Sequence, residues 1–249
     1  MLEGSSKNRL ELIDSIRGIT LISMIFYHFV WDMVYLYGHR WRWFDSAQIW
    51  QQSICITFIT LAGYSFCLGK HHLKRGLLAF GGGIIVTLVS LFLAENSLVI
   101  FGILTLLGSA VLIMIPLEHI FKKVPAVLGA VISLLAFLVT KNCSYGYLDF
   151  FVFKTELPEG LYRSLFTAFW GFPENSFYSA DYFPIFPWIF LFIFGYFLYR
   201  TLEKWDLNKK LFSKGKIPVL SFLGKHSLIV YLVHQPIIYG LCEIFKFVL

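Results

Sequence analysis

Seven blocks of apolar residues, each near twenty long, punctuate this chain of 249 residues. A helix rising about 1.5 Å per residue crosses the hydrocarbon core of a bilayer in about 20 residues. In lipid every backbone polar group must find its partner within the protein, so blocks of this length read as helices. The spacing predicts spans at 13–37, 48–69, 76–94, 97–116, 124–140, 182–200 and 217–247, the last broken near Pro236. The expected fold is an all-α polytopic transmembrane helical bundle of about seven spans, one domain over 1–249.

Composition agrees. Hydrophobic residues make up 57% of the chain and charged residues 14%, against about 25% charged in a soluble domain. The first block carries Arg, His and Asp, so it does not read as a cleaved leader. A net charge of +6 raises the question of nucleic acid, but the basic residues sit in short connections between spans and read as topology signals. Thirteen Lys and Arg fall on one side: Lys7, Arg9, Lys70, Lys74, Arg75, Lys122, Lys123, Arg200, Lys204, Lys209, Lys210, Lys214 and Lys216. Five fall on the other, namely Arg40, Arg42, Lys141, Lys154 and Arg163, while Arg17, Lys225 and Lys246 lie in or at helices. This bias predicts a cytoplasmic N-terminus. Four cysteines show neither a disulfide framework nor a metal spacing.

Ionisable residues in hydrocarbon are costly and are read as functional by default. Asp14, Arg17, His28, Asp32 and His39 lie in or beside the first span. Arg17, His28 and His39 are eleven residues apart, almost three helical turns, so the pattern predicts one polar face with steps of about 16 Å. Asp14 and Asp32 join it at helical spacings of three and four. Asp32, one turn after His28, is expected to accept a hydrogen bond from the imidazole and leave the other ring nitrogen as a base. The alternative is a polar contact that glues helices together. Arg17 reads either as an anchor snorkelling to headgroups or as a phosphate ligand, with Gly18 permitting close approach of a backbone or ligand. Lys70, His71, His72, Lys74 and Arg75 form a basic cluster that reads either as help in binding the phosphates or as a topology signal, which alone explains it.

His226 and His234 in the last span are eight apart and are expected to share a face. The connection 141–181 is expected outside the cytoplasm; its many aromatics suit sugar rings or the membrane interface. "FPIFPW" at 183–188 suits a helix start or bend. The glycines of "FGILTLLGSA" and the Gly81–Gly83 run read as packing faces, within one chain or between copies in a homo-oligomer.

"RLELIDSIRGITLISMIFYHFVWDMVYLYGHRW" (9–41), "FITLAGYSFCLG" (58–69), "FGILTLLG" (101–108) and "LGKHSLIVYLVHQP" (223–236) together resemble the catalytic membrane domain of the heparan-alpha-glucosaminide N-acetyltransferase family, in its short bacterial members. The Arg-x10-His pair Arg17 and His28 is also similar to the motif of bacterial membrane sugar O-acyltransferases. The resemblance implies transfer of an acetyl group from acetyl-CoA in the cytosol to a sugar or cell-envelope glycan beyond the bacterial cytoplasmic membrane. It implies that the catalytic His of the eukaryotic enzyme matches His39; that enzyme has Asn at the position of His28, where the O-acyltransferases have His. Thr105 stands where short relatives often carry His.

The sequence therefore predicts an acetyl-CoA-dependent acyltransferase with membrane lipids around it and no metal. His39, His28 and Asp32 are its catalytic candidates. Arg17, Asp14, Gly18 and Lys74 are expected at the acyl-CoA donor, and His234 and Trp31 in the substrate cavity. A transporter using the His and Asp stripe as a proton or ion relay is the competing class, weakened by the absence of repeated halves. A non-catalytic partner subunit is the third.

Overall fold

The computed structural model describes residues 11–41, 44, 46–93, 98–212 and 217–245. Lys7, Arg9, Arg42, Lys214, Lys216 and Lys246 lie outside the described residues, as do the predicted span edges at 94, 97 and 246–247.

The chain is an all-α membrane bundle, 74% helical, with one two-stranded sheet among the described residues. The helices are α1 (Glu11–Tyr35), α2 (Gln48–Phe66), α3 (His72–Leu93), α4 (Ile103–Phe121), α5 (Ala126–Thr140), α6 (Leu165–Trp170), α7 (Ile185–Lys204), α8 (Leu207–Phe212), α9 (Pro218–Lys225) and α10 (Ser227–Phe245). The strands β1 (Tyr147–Asp149) and β2 (Lys154–Glu156) pair antiparallel, Leu148 opposite Thr155. This hairpin and α6 give local structure to the 141–181 connection, which the hydropathy pattern reads only as a loop. Among the described residues, six helices are long and apolar enough to span a bilayer: α1, α3, α4, α5, α7 and α10. Gln48, Gln51 and Gln52 hold α2 out of that set.

The described residues fall into two compact units, Met1–Phe58 with Trp205–Leu249, and Ile59–Lys204; the division falls inside α2. In the first unit α1 packs against α9 and α10. Glu11 and Asp14 occupy the first turn of α1, where negative charge suits the helix dipole. The predicted single last span is broken at His226, where φ −102 and ψ 23 end α9, and not at Pro236, which lies within α10. His226 is consequently exposed while His234 is buried, and the predicted common face is lost.

Contacts along α1 and α10 rise together. His28 meets His234, Asp32 meets Gln235, Met33 packs with Ile238 and Cys242, and Tyr37 bonds Glu243. The two helices therefore run in the same direction. Two spans of one chain run the same way only when an odd number of crossings separates them. The expected seven-span arrangement, with 48–69 as one of the crossings, has this parity.

In the second unit α3 packs on α4, and α5 on α7. Backbones approach closely at small residues, as expected between helices in lipid. A Cβ on Gly63 would lie 1.9 Å from the Phe192 carbonyl oxygen, and one on Gly83 would lie 2.4 Å from Thr105 Oγ1. Thr105 is thus a packing partner of α3. Arg200 donates to the carbonyls of Phe121 (2.5 Å), Val124 (3.2 Å) and Lys122 (3.2 Å), closing the C-terminal end of α4 with a cation. α7 bends at Phe186 (φ −89, ψ 133), in the two-proline segment where the sequence predicts a start or bend.

Candidate functional site

At about 100° per residue, Asp14, Arg17, His28 and Asp32 fall within about 60° of arc on α1. The structure turns that face toward α9 and α10, in three levels.

At the N-terminal level, Arg17 Nη1 donates to Asp14 Oδ1 (3.2 Å) and to the Gly224 carbonyl (3.3 Å). The Arg17 and Asp14 side chains are 17% and 11% exposed, so the pair sits in a largely dry place where ion pairing is stronger than at a surface. The close approach is made by glycines on both helices. A Cβ on Gly18 would lie 2.0 Å from the Leu220 carbonyl oxygen, and a Cβ on Gly224 would lie 1.9 Å from that of Asp14. Gly18 therefore admits the backbone of α9, the first of the two close approaches its sequence position allows. Ser15 Oγ accepts from the Ile217 N–H (3.2 Å), tying the start of α9 to α1.

At mid-helix, the rings of His28 and His234 lie 5.1 Å apart at 57°. The expected bond from His28 to Asp32 is not formed among the described residues. Asp32 is fully buried, and both its carboxylate oxygens accept from Gln235 Nε2 (3.3 and 3.1 Å). Gln235 reaches the carboxylate from the facing helix, and His28 turns to His234 instead. His234 Nδ1 bonds to the Tyr231 carbonyl. A carbonyl can only accept, so Nδ1 is the donor.

At the C-terminal level α1 ends at Tyr35. Gly38 (φ +76) turns the chain, and the His39 N–H bonds to the Met33 carbonyl (3.0 Å). The eleven-residue spacing therefore does not carry to His39, because regular helix stops four residues before it. Its half-buried ring lies 5.9 Å from that of Trp41. Tyr37 donates to Glu243 Oε1 (2.7 Å); burial and this bond push the Tyr37 pKa up.

Trp31 packs on the cluster of Val30, Phe44 and Ala47, its ring 5.1 Å from that of Tyr35. Lys74 is exposed on the first turn of α3, in the second unit. His72, beside it, stacks on Phe66 at 4.0 Å.

The structure thus joins Asp14 to Arg17 and His28 to His234, and sets Asp32 on a partner the sequence reading passed over. Gln235 follows His234 in "HQP", and its polarity within an apolar span was the available signal. Tyr37, Glu243 and Ser15 were missed as well. Each is a single polar residue whose partner is some two hundred positions away.

The sequence profile of the family described as "Heparan-alpha-glucosaminide N-acetyltransferase, catalytic" matches residues 9–236, most of the chain. No curated protein and no solved structure matches it.

Proposed function

The chain belongs to the heparan-alpha-glucosaminide N-acetyltransferase catalytic family and is an integral membrane acetyltransferase; from that premise we propose that it moves an acetyl group from cytosolic acetyl-CoA to a sugar amine or hydroxyl on the far side of a bacterial cytoplasmic membrane. The observation that carries the reading is the level at which half-buried His28 faces buried His234, beside buried Asp32 and its partner Gln235. Two imidazoles and a carboxylate at one depth of an apolar bundle are costly for packing alone and suited to moving a proton.

A thioester is already activated, so the protein's main tasks are positioning and proton transfer. Arg17, oriented by Asp14, meets the phosphates of the donor near the cytoplasmic end. The acceptor nitrogen or oxygen attacks the acetyl carbonyl carbon while His28 takes its proton. The new C–N or C–O bond forms, the C–S bond breaks, and the CoA thiolate leaves with the proton that His28 returns to it. His234 lies beside His28, and Asp32 balances the imidazolium that forms. Trp31 and its aromatic neighbours shape the apolar side of the acceptor's path. His39 is the competing base, on the strength of the family resemblance.

The test is acetylation of glucosamine by the purified protein in nanodiscs, read by mass spectrometry, for the wild type, His28→Ala and His39→Ala. General-base loss costs about 10²–10⁴ in rate. A loss of this size in His28→Ala, with acetyl-CoA binding intact, supports the assignment. Loss in His39→Ala alone transfers the role to His39. Unchanged rates in both, or failure of the wild type to bind acetyl-CoA, overturn the reading.

A further inference from the structure

The connection after α5 carries an apolar tip where a water-exposed hairpin has none. Phe150–Phe153 link β1 to β2, with Phe151 67%, Val152 93% and Phe153 60% exposed. Hairpin turns in water favour Asn, Asp and Gly, which tolerate left-handed backbone and solvent. Here the left-handed position is held by Phe151 (φ +67), a bulky residue for which that conformation is unfavourable. Four consecutive apolar residues around such a turn mark a surface meant to be covered.

The tip is held firmly. Phe150 N–H donates to the Phe153 carbonyl (2.9 Å), Phe151 N–H donates to Asp149 Oδ1 (3.1 Å), and the Phe150 and Phe153 rings stack at 5.0 Å and 17°. The base is anchored too. Leu157 N–H bonds to the Gly146 carbonyl (2.8 Å), Tyr162 Oη to that of Cys143 (2.5 Å) and Ser144 Oγ to that of Gly171 (3.0 Å).

Connectivity says what covers it. The span that includes α5 runs to Tyr145, β1 begins two residues later, and β1 packs against α5. The hairpin therefore starts at the end of an apolar span, beside a helix whose Leu134 and Leu135 are left exposed by the protein. Lys154 Nζ sits 4.7 Å over the Tyr147 ring at the hairpin base. A Lys and a Tyr behind an apolar tip match the order of headgroups and acyl chains at a bilayer interface. A second copy fits less well. Taking about 200 Å² per Phe, the tip offers about 500 Å², short of the about 800 Å² per partner of a stable protein interface.

We propose that the Phe150–Phe153 tip is a lipid anchor, inserted at the acyl boundary of the leaflet reached by the C-terminal end of α5, and that it ties the 141–181 connection to the membrane surface. The test uses Val152→Cys in the full chain, labelled with bimane and reconstituted in phosphatidylcholine nanodiscs. Cys55, Cys143 and Cys242 are buried, and a Cys67→Ser background removes the half-buried fourth. The expected result is a blue-shifted emission that is lost on adding 5-doxyl phosphatidylcholine and spared by aqueous iodide. Quenching by iodide with none by the doxyl lipid overturns the proposal. So does disulfide cross-linking between copies through the introduced thiol when unlabelled Val152→Cys is oxidised, since this identifies a second chain as the occupant. At 93% exposure the substitution leaves the fold intact, and a melting temperature equal to the wild type verifies this. A Val152→Asp variant supplies the second measurement: protease cleavage within 147–156 in nanodiscs rises if the tip is held in lipid, and an unchanged rate overturns the proposal.

Discussion

Gly18→Ala adds one methyl group where α9 crosses α1. Its Cβ would lie 2.0 Å from the Leu220 carbonyl oxygen, 2.7 Å from the carbonyl carbon and 2.9 Å from Cα. All three are backbone atoms, so no side-chain rotation relieves the clash. A carbon–oxygen approach of about 3.3 Å requires α9 to retreat by about 1.3 Å. That retreat breaks the Ser15–Ile217 bond (3.2 Å) and the Arg17–Gly224 bond (3.3 Å), neither of which has length to spare. Overpacking costs about 1–3 kcal/mol, and two hydrogen bonds add about 1 kcal/mol each. Ala gains about 1 kcal/mol over Gly in helix propensity. The net is a loss of about 2–4 kcal/mol, a fall of about 4–16 °C in melting temperature for a chain of this size. Gly240→Ala is the control. It lies in α10 of the same unit with nothing within 4 Å, so it shows only the propensity gain and melts at or above the wild type. The assay is intrinsic-fluorescence melting of the purified protein in one detergent at one heating rate. If Gly18→Ala melts with Gly240→Ala, the close approach of α1 and α9 is wrong, and the placement of Arg17 on Gly224 falls with it.

Gln235→Ala leaves the Asp32 carboxylate buried without its donor and destabilises the protein by about 1–3 kcal/mol; the double variant Asp32→Leu/Gln235→Leu recovers stability in the same melting assay but not acetylation. Equal loss in single and double variants refutes the pairing. Ser15→Ala removes the acceptor for the Ile217 N–H and lowers stability by about 1 kcal/mol, read against wild type by melting. Arg17→Lys keeps the charge but loses the planar fork, so the KM for acetyl-CoA rises while the kcat for glucosamine acetylation holds; a fall in kcat with constant KM refutes a donor-binding role.

The predicted span 124–140 and the observed α5, Ala126–Thr140, nearly coincide, because bilayer thickness is written directly into the length of an apolar run. Start and stop positions elsewhere shift by a few residues. α7 begins at Ile185 rather than 182, and α4 runs to Phe121 rather than 116, held by Arg200 from another helix. Along α1, Asp14, Arg17, His28 and Asp32 were readable as one face because helical period is local. His39 was misplaced on that face because the period stops at Tyr35, where Gly38 turns the chain. The hairpin at Tyr147–Glu156 escaped notice because its strands are only three residues long and its turn residues are atypical.

Hydropathy and helical period, both properties of neighbouring residues, settled from the amino acids alone that this is a membrane bundle and that its first helix bears a polar face. What that face meets was decided only by tertiary packing. The close approach of α1 and α9 at Gly18 and at Gly224, the break at His226 and the parallel course of α10 together bring His234 to His28 and Gln235 to Asp32. Those pairings span some two hundred residues and depend on where two backbones can touch, which no local pattern records.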